Sequence, residues 1–350
     1  MAKVRLAILD DYQDIAPAKF SHLSSKVDVV SFPKTLNARD PEQKQQLIAQ
    51  LQPFDIVSTM RERTAFPADV VNQLPNLKLL LTTGMRNASF DMDALTKRGV
   101  VVAGAKGFGK AGEKSAPTSL DSTMEHGWAM ILGLARRLAS SDVSIANGGW
   151  QTGAAFGLKA KTLGILGLGK LGADTARIGV AFGMKILAWS TSLTQEKADA
   201  EAEKMGLAKG VFKCASSKKE LCETADILSV HYVLSDRSRG IVGAEELAQL
   251  KPSALVVNTS RGPLIDEEAL LKTLEQGKIW GAALDVFDVE PLPASSPWRT
   301  TAWGKDGRSE VLLSPHMGYV EEDAMRRWYE DTAINVETWL EGRKLETQIN

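Results

Sequence analysis

The sequence predicts an α/β protein of two domains, each a doubly wound parallel sheet with helices on both faces. Three observations predict this class. The chain has 350 residues, more than one hydrophobic core of ordinary size requires. Short runs rich in β-branched residues alternate with longer segments of helical periodicity. A glycine-rich turn also stands between one of these runs and the helical segment after it.

The first half of the chain supplies the strands of one predicted sheet. Each is a short apolar run bounded by turn-forming residues, a pattern typical of buried strands. These strands cover residues 4–9, 27–31, 55–59, 77–82 and 100–103.

A long helix is predicted over residues 118–138, between the two sheets. Its apolar residues recur at steps of three and four, so that one stripe of the helix would be buried. This stripe consists of Met124, Trp128, Ile131, Ala135 and Leu138. The sequence NGGW then ends the helical pattern.

A second series of apolar runs predicts the other sheet. Its strands cover residues 162–166, 185–189, 226–232, 254–259, 279–286 and 311–314. A last amphipathic helix is predicted over about 321–342, and its position indicates that the chain returns to the first domain. We therefore expect one domain from residues 1–117 and 317–350, and a continuous domain from residues 118–316.

The composition excludes several classes of protein. A net charge of −1 gives no electrostatic attraction to nucleic acid or to an anionic membrane, so neither is an expected partner. No apolar run reaches the roughly 18 residues needed to cross a bilayer. Asp10 and Asp11 interrupt the N-terminal apolar run too early for a signal peptide. The expectation is a cytoplasmic protein.

The chain has two cysteines, Cys214 and Cys222. Their spacing matches neither a metal-binding motif nor a disulfide framework. We therefore expect reduced thiols and no metal site.

The glycine pattern GxGxxG occurs twice, and only one copy has the required surroundings. In KGFGKAG, formed by Gly107, Gly109 and Gly112, Pro117 follows too closely for a helix to begin. This copy is interpreted as a loop.

The second copy, Gly167, Gly169 and Gly172 in GILGLGKLG, directly follows an apolar strand and opens a helical pattern. This context predicts a Rossmann dinucleotide-binding turn, in which free N–H groups at the helix N-terminus bind a pyrophosphate. Lys170 and Leu171, inside the motif, are expected to contact the cofactor as well.

The strand after this motif indicates which dinucleotide binds. An acid at its end would accept hydrogen bonds from the adenosine ribose, but this strand ends in Ser190, followed by Thr191. A 2′-phosphate would meet no repulsion there, and the hydroxyls could donate to it. No arginine is nearby, and Lys197 is the closest cation. NADP is therefore slightly favoured as cofactor, with NAD as the alternative.

Three further segments place reactive residues at the ends of predicted strands. Arg261 follows one strand, Asp285 lies at the end of the next with Glu290 five residues on, and His316 follows the last. Ligands of open α/β sheets bind outside the carboxyl ends of the strands, so we expect these residues to meet near the dinucleotide. An arginine can bind a carboxylate, and a histidine held by a glutamate can exchange a proton. Together they predict hydride transfer at a carbon next to a carboxylate.

The ordered motifs GGWQTG, KTLGILGLGKLG, NTSRGPLIDEEAL, ALDVFDVEPLP and SPHMGY resemble those of the D-isomer-specific 2-hydroxyacid dehydrogenase family. The resemblance spans nearly the whole chain. It implies a Rossmann domain, a flavodoxin-like substrate domain split between the two ends of the chain, and a homodimer joined through the nucleotide domain.

The resemblance also implies roles for individual residues. Arg261 would hold the substrate carboxylate, His316 would be the acid/base, and Glu290 would be its partner. The remaining contacts fall into two groups. Thr259 and Asp285 are expected beside the cofactor, and Gly84 and the neighbouring Met85 beside the substrate. Apart from the resemblance, Arg61 is a candidate for a further contact to a phosphate or carboxylate, with a solvated position as the alternative.

The chain departs from the family pattern at several places. Ser190 replaces the usual acid, and Val233 in HYVLSD stands where the family has a proline. Residues 105–117 and 293–309 resemble insertions. Trp298 and Trp303, in the second insertion, could wall a pocket for a bulky substrate, but tryptophans more often lie in a core or at an interface.

Two alternatives to a 2-oxo acid reductase remain open from the sequence. One is a dinucleotide-sensing binding protein, like the corepressors that resemble this family and can retain the same three residues. The other is an enzyme that resembles phosphoglycerate dehydrogenase but lacks a regulatory domain. A formate dehydrogenase is disfavoured, because that branch has glutamine where Glu290 stands.

Overall fold

The computed structural model describes residues 2–107 and 121–350. These residues form two compact units, one of residues 2–107 with Glu321–Asn350 and one of residues 121–320. The return of the chain to the first unit thus begins at Glu321, compared with residue 317 in the sequence-based division. The first copy of GxGxxG, in KGFGKAG, lies outside the described residues beyond Gly107, as does most of the segment 105–117.

The first unit contains a parallel sheet of five described strands in the order β2-β1-β3-β4-β5. Apolar strands of this kind are buried on both faces, and β3 and β4 are buried along their whole length. The strands are β1 (Val4–Leu9), β2 (Val27–Phe32), β3 (Ile56–Thr59), β4 (Leu79–Thr83) and β5 (Val101–Ala105).

The helices of the first unit begin where the sequence supplies capping side chains. Asp40 and Asp91 each accept a hydrogen bond from a backbone N–H in the first turn of the helix that follows. The last helix of the chain packs on β4 and β5 of this unit. The helices are α1 (Ala16–Lys19), α2 (Pro41–Leu51), α3 (Ala68–Val71), α4 (Met92–Lys97) and α13 (Glu322–Leu340).

The second unit contains a parallel sheet of seven described strands in the order β12-β11-β10-β9-β6-β7-β8. The order reverses at β6, so the sheet is doubly wound with a topological switch point between β6 and β9. The strands are β6 (Thr162–Leu166), β7 (Lys185–Trp189), β8 (Phe212–Cys214), β9 (Ile227–Val230), β10 (Leu255–Asn258), β11 (Gly281–Leu284) and β12 (Glu310–Leu313). The prediction of two doubly wound domains is therefore confirmed.

Helices cover both faces of this second sheet, and apolar side chains fill the space on each face. The helices are α5 (Ser122–Ala135), α6 (Leu138–Ala146), α7 (Lys170–Ala181), α8 (Gln195–Lys204), α9 (Lys218–Thr224), α10 (Ala244–Gln249), α11 (Glu267–Glu275) and α12 (Pro297–Thr300).

The predicted single helix over residues 118–138 is wrong at its C-terminal end. Arg137 has a φ of 56°, a left-handed conformation that ends α5 and starts α6 in a new direction. Leu138, assigned to the buried stripe, is therefore 59% exposed, whereas Met124, Trp128, Ile131 and Ala135 are buried. Within residues 2–107 and 121–350, no helix is both long enough and apolar enough to cross a membrane.

Candidate active site

The glycine turn after β6 has the conformation that a dinucleotide-binding turn requires. Gly167 has a φ of 103°, and a Cβ there would lie 2.8 Å from the carbonyl oxygen of His231. Gly169 is the N-cap residue of α7, and a Cβ on it would meet no described atom within 4 Å. A side chain is thus excluded at Gly167 by protein, whereas the space beside Gly169 is open to a ligand.

The N-terminus of α7 supplies the polar groups of this turn. The first N–H groups of a helix have no partner inside the helix and favour a negatively charged group. Lys170 extends into solvent, with its Nζ 4.0 Å from a carboxylate oxygen of Asp121, and Leu171 is half-buried. The turn fits a pyrophosphate, with Lys170 able to add a positive charge.

The exit of β7 is held by a tyrosine that the sequence analysis did not single out. The hydroxyl of Tyr232 accepts a hydrogen bond from the backbone N–H of Thr191 at 2.9 Å. Lys197 donates from Nζ to the carbonyl oxygen of Ser192 at 2.6 Å. Ser190 is half-buried at this position. The loop therefore presents hydroxyls and one ammonium group where the adenosine ribose binds in sheets of this type.

The structure brings Glu290 and His316 into direct contact. Oε2 of Glu290 lies 2.6 Å from Nδ1 of His316, and Oε1 accepts a hydrogen bond from the N–H of Phe287 at 2.9 Å. Both oxygens of the carboxylate are thus engaged, which fixes the carboxylate and the imidazole relative to each other. Nε2 of His316 is then the ring nitrogen that Glu290 does not engage. The ring also packs edge-on against Tyr319, with 5.4 Å between centroids.

Arg261 lies on the loop that follows β10. The amide of Asn258 donates to the carbonyl oxygen of Arg261 at 2.9 Å, and the guanidinium donates to the carbonyl oxygen of Ser260 at 2.7 Å. A Cβ on Gly262 would overlap the backbone of Phe287, so a glycine is required where these two loops touch. The loop of Arg261 therefore packs against the loop whose turn is fixed by Glu290.

Asp285 supports the loop of His316. Its side chain is fully buried, and its carboxylate accepts the N–H groups of Met317 at 2.8 Å and Gly318 at 3.0 Å. Burial raises the pKa of Asp285, but hydrogen bonds from His126, Ser314 and Met317 outweigh burial and hold the pKa below its ordinary value. The carboxylate is therefore ionised, and the protein itself supplies the hydrogen-bond donors that stabilise it.

His126, on α5, is a residue of this site that was not among the site residues predicted from the sequence. Its Nε2 lies 3.1 Å from Oδ1 of Asp285 and 3.0 Å from Oγ of Ser314. Thr259, predicted beside the cofactor, lies against α5. Its Oγ1 is 3.7 Å from the position that a Cβ on Gly127 of this helix would occupy. A single histidine in a helix has no spacing signal, so only the three-dimensional structure identifies it.

His231, by contrast, has the properties of a structural residue. Burial lowers its pKa to about 4, so its imidazole is neutral at physiological pH. Its Nε2 lies 2.8 Å from Oγ of Ser229.

Of the two places open to Trp298 and Trp303, the structure shows the core and not a pocket wall. Trp298 is 2% exposed and packs against Phe287 and Trp303 inside the hydrophobic core of the second unit. Nε1 of Trp303 donates to the carbonyl oxygen of Trp298 at 3.1 Å. The segment 293–309 thus supports the turn at Phe287 from the protein interior.

In the first unit, Arg61 and Gly84 lie together after β3 and β4, next to the exposed Met85. Arg61 has a φ of 52° and Gly84 a φ of 94°. Nη1 of Arg61 lies 2.8 Å from the position that a Cβ on Gly84 would occupy. The N–H of Gly84 already donates to the carbonyl oxygen of Ala105 at 2.9 Å, so Gly84 itself has no N–H to offer a substrate.

The chain is similar to known proteins over most of its length. Residues 128–318 match the model of the D-isomer specific 2-hydroxyacid dehydrogenase NAD binding domain. The chain is 30% identical over 340 residues to a glyoxylate reductase of Aeropyrum pernix, covering 95% of this chain and 92% of that protein.

Two further comparisons extend over most of the chain. Identity to a D-3-phosphoglycerate dehydrogenase of Methanocaldococcus jannaschii is 30% over 309 residues, covering 88% of this chain but only 54% of the length of that enzyme. The crystal structure of a phosphoglycerate oxidoreductase from Vibrio cholerae superposes with a TM-score of 0.80 at 31% identity, covering 97% of this chain and 99% of that one.

Proposed function

The chain belongs to the D-isomer-specific 2-hydroxyacid dehydrogenase family, and we propose that it reduces a 2-oxo acid to the D-2-hydroxy acid, or catalyses the reverse reaction. A bound nicotinamide cofactor would supply or accept the hydride. The observation on which the proposal depends is the 2.6 Å contact between Nδ1 of His316 and Oε2 of Glu290.

This contact prepares His316 to exchange one proton with the substrate. The carboxylate of Glu290 accepts a hydrogen bond from Nδ1, which leaves Nε2 as the proton-exchanging atom. When the carbonyl oxygen gains negative charge during reduction, Nε2–H of the imidazolium would donate its proton to that oxygen. In the oxidative direction neutral Nε2 would accept the proton of the hydroxyl group.

Arg261 is proposed to bind the carboxylate of the substrate. A guanidinium can donate two parallel hydrogen bonds to a carboxylate, which fixes orientation as well as position. The bonds around Asn258 and Ser260 hold the Arg261 loop in place before any substrate arrives. In this account the guanidinium also polarises the neighbouring carbonyl group.

The first unit is proposed to supply further substrate contacts through Arg61 and Met85. Because the N–H of Gly84 is occupied by Ala105, backbone donors for a carboxylate would come from Met85 onward. The role of Gly84 would be to leave room for the guanidinium of Arg61. Arg61 could then add a charge-assisted hydrogen bond to an anionic group of the substrate.

The cofactor is proposed to bind at Gly167, Gly169 and Gly172, with NADP slightly favoured over NAD. Support for NADP is the loop after β7, which contains Ser190 and Thr191 in place of an acid. A carboxylate at that position would repel the 2′-phosphate of NADP, whereas hydroxyls can donate hydrogen bonds to it. Thr259 and the Asp285 region are proposed to lie beside the nicotinamide end.

A homodimer is also proposed, with α6 at its interface. In this helix Leu138, Val143 and Ile145 are each about 60% exposed, and Trp150 just beyond it is 77% exposed. Exposed apolar clusters of this kind usually mark protein contacts. A second copy of the chain would bury these side chains. Sedimentation equilibrium tests the proposal, and we expect the mass of two chains.

The experiment that tests the proposed function is a matrix of both reduced cofactors against a panel of 2-oxo acids. The panel includes glyoxylate, hydroxypyruvate, phenylpyruvate and branched-chain 2-oxo acids, with 3-phosphohydroxypyruvate to test the phosphoglycerate dehydrogenase alternative. We expect oxidation of NADPH, at a rate equal to or above that of NADH, with at least one member. If no member consumed either cofactor, the proposal would be wrong.

A further inference from the structure

His126 lies on α5, remote in sequence from the residues assigned to the reaction. We propose that it is a positioning residue, which holds the carboxylate of Asp285 so that Asp285 can fix the backbone beside His316. The inference rests on the proposed function for its catalytic consequence, but the contacts themselves belong to the second unit alone.

The backbone at His316 needs such support. His316 has a φ of 56°, a left-handed conformation that costs free energy in a residue other than glycine. This conformation persists only if the surroundings determine it. The two N–H groups that follow, of Met317 and Gly318, both donate to the carboxylate of Asp285. Asp285 therefore fixes the backbone on one side of His316, while Glu290 fixes the imidazole on the other.

The carboxylate of Asp285 in turn depends on its donors, because it is fully buried. A buried carboxylate is stable only when hydrogen bonds replace the water it has lost. His126 contributes Nε2 at 3.1 Å, and Ser314 Oγ lies 3.0 Å from the same nitrogen. Without the imidazole, the carboxylate would turn toward other donors or admit water, and the N–H groups of residues 317 and 318 would follow it.

The fold of this region does not depend on His126 alone. Ser122, in the first turn of α5, donates from Oγ to the carbonyl oxygen of Gly318 at 3.3 Å. The α5 helix is also buried along Met124, Trp128 and Ile131. A substitution at His126 should therefore displace the loop of His316 slightly and leave the domain folded.

Matched variants separate the hydrogen bond from the volume of the side chain. His126→Gln keeps an N–H donor near the position of Nε2 and does not titrate, whereas His126→Leu has a similar size and no donor. His126→Asn provides a second loss variant, since its amide is too short to reach Asp285. If His126→Leu fails to fold, the comparison of Asn with Gln still decides the question.

The first measurement requires no catalysis. The chain has four histidines, so the ¹H–¹⁵N imidazole signals can be assigned by substituting each in turn. We expect the His316 signals to shift in the Leu and Asn variants and to stay near wild type in the Gln variant. The signals of His22, in the first unit, serve as the reference. Equal His316 spectra in the Leu and Gln variants would overturn the proposal.

The second measurement is steady-state kinetics with the 2-oxo acid identified by the activity matrix. We expect kcat to fall by about tenfold to a hundredfold in the Leu variant, because small misplacements of a reacting group are costly. The Gln variant should stay within roughly threefold of wild type, and the Kd of the cofactor should not change. An equal loss of kcat in both variants would contradict the positioning role. A wild-type protein without activity would overturn the proposed function instead, while the imidazole spectra would still test the role of His126.

Discussion

Nδ1 of His316 lies 2.6 Å from Oε2 of Glu290, although 26 positions separate the two residues in the chain. The carboxylate is held in place by the N–H of Phe287 at its other oxygen, and Phe287 packs on the buried Trp298. The segment that separates the two residues thus contributes a tryptophan to the core beneath the turn. A carboxylate fixed in this way selects one tautomer and one orientation of the imidazole, as the proposed proton exchange requires.

Glu290→Gln should lower kcat/KM for 2-oxo acid reduction by roughly a hundredfold, the lower scale of general acid/base contributions. The amide keeps the shape of the side chain and its acceptor for Phe287, but it loses the negative charge beside the imidazole. The measurement is the rate of NAD(P)H oxidation, with the cofactor Kd as control. If kcat/KM of the Gln variant stayed within twofold of the wild-type value, the charge of Glu290 would have no role in the mechanism.

Two glycines of the nucleotide turn, Gly167 and Gly169, should respond differently to alanine. Gly167→Ala should destabilise the second unit, because the backbone is left-handed there and the new methyl group would meet the carbonyl of His231. Gly169→Ala should leave the thermal unfolding of the free protein nearly unchanged, because no described atom lies within 4 Å of the new group.

The same Gly169→Ala variant should nevertheless weaken cofactor binding, because the methyl group would occupy the space where the pyrophosphate approaches the backbone. Calorimetric titration with NADP⁺ and NAD⁺ measures this loss. Unchanged binding of both dinucleotides would place the cofactor elsewhere.

Ser190→Asp should change the preference between cofactors toward NADH. A carboxylate at the exit of β7 would repel the 2′-phosphate by about 1 kcal/mol or more in a solvated loop. The ratio of kcat/KM for NADPH to that for NADH should therefore fall by at least about fivefold. Ser190→Asn is the matched control, since it has the same shape without the charge. Equal ratios in the two variants would show that Ser190 does not face the ribose.

Asp10→Asn should stabilise the first unit, and more so as the pH rises. Burial raises the pKa of Asp10 from 3.8 to about 6, despite hydrogen bonds from Thr35 and Thr64. The folded state therefore binds a proton more tightly than the unfolded state, and the stability that this proton contributes is lost as the pH rises through 6. Asparagine also tolerates the left-handed φ of 61° at this position.

The difference in unfolding free energy between Asp10→Asn and wild type should grow by about 2 kcal/mol between pH 4 and pH 7. Urea denaturation of both proteins at several pH values measures this difference, and the other ionisable groups cancel. A difference that is independent of pH would mean that the carboxyl group of Asp10 titrates normally.

The sequence predicts most of the two sheets because their strands are continuous apolar runs. The predicted strands 4–9, 162–166 and 185–189 coincide with β1, β6 and β7. The three-residue β8 was missed, because it lies at the sheet edge and includes the exposed Lys213. The break at Arg137 was missed for a different reason, since neither glycine nor proline marks the left-handed residue.

For the site, the sequence provides the reactive side chains but not the contacts that orient them. Glu290 and His316 could be paired because both follow strands of one sheet. The hydrogen bonds of His126 to Asp285, and of Tyr232 to Thr191, join segments that no spacing relates. The place of Trp298 likewise became clear only from its burial in the structure. A tryptophan in an insertion can line a pocket or fill a core, and the sequence around it does not distinguish the two.

The central claim is that His316, oriented by Glu290, exchanges a proton with a 2-oxo acid. Its most direct test is the rate of NADPH and NADH oxidation across the 2-oxo acid panel, with wild type and His316→Ala compared at equal cofactor occupancy. The account predicts that wild type reduces at least one of the acids and that the variant loses at least roughly a hundredfold in kcat while its cofactor Kd is unchanged. A variant that reduces the same acid at the wild-type rate would contradict it.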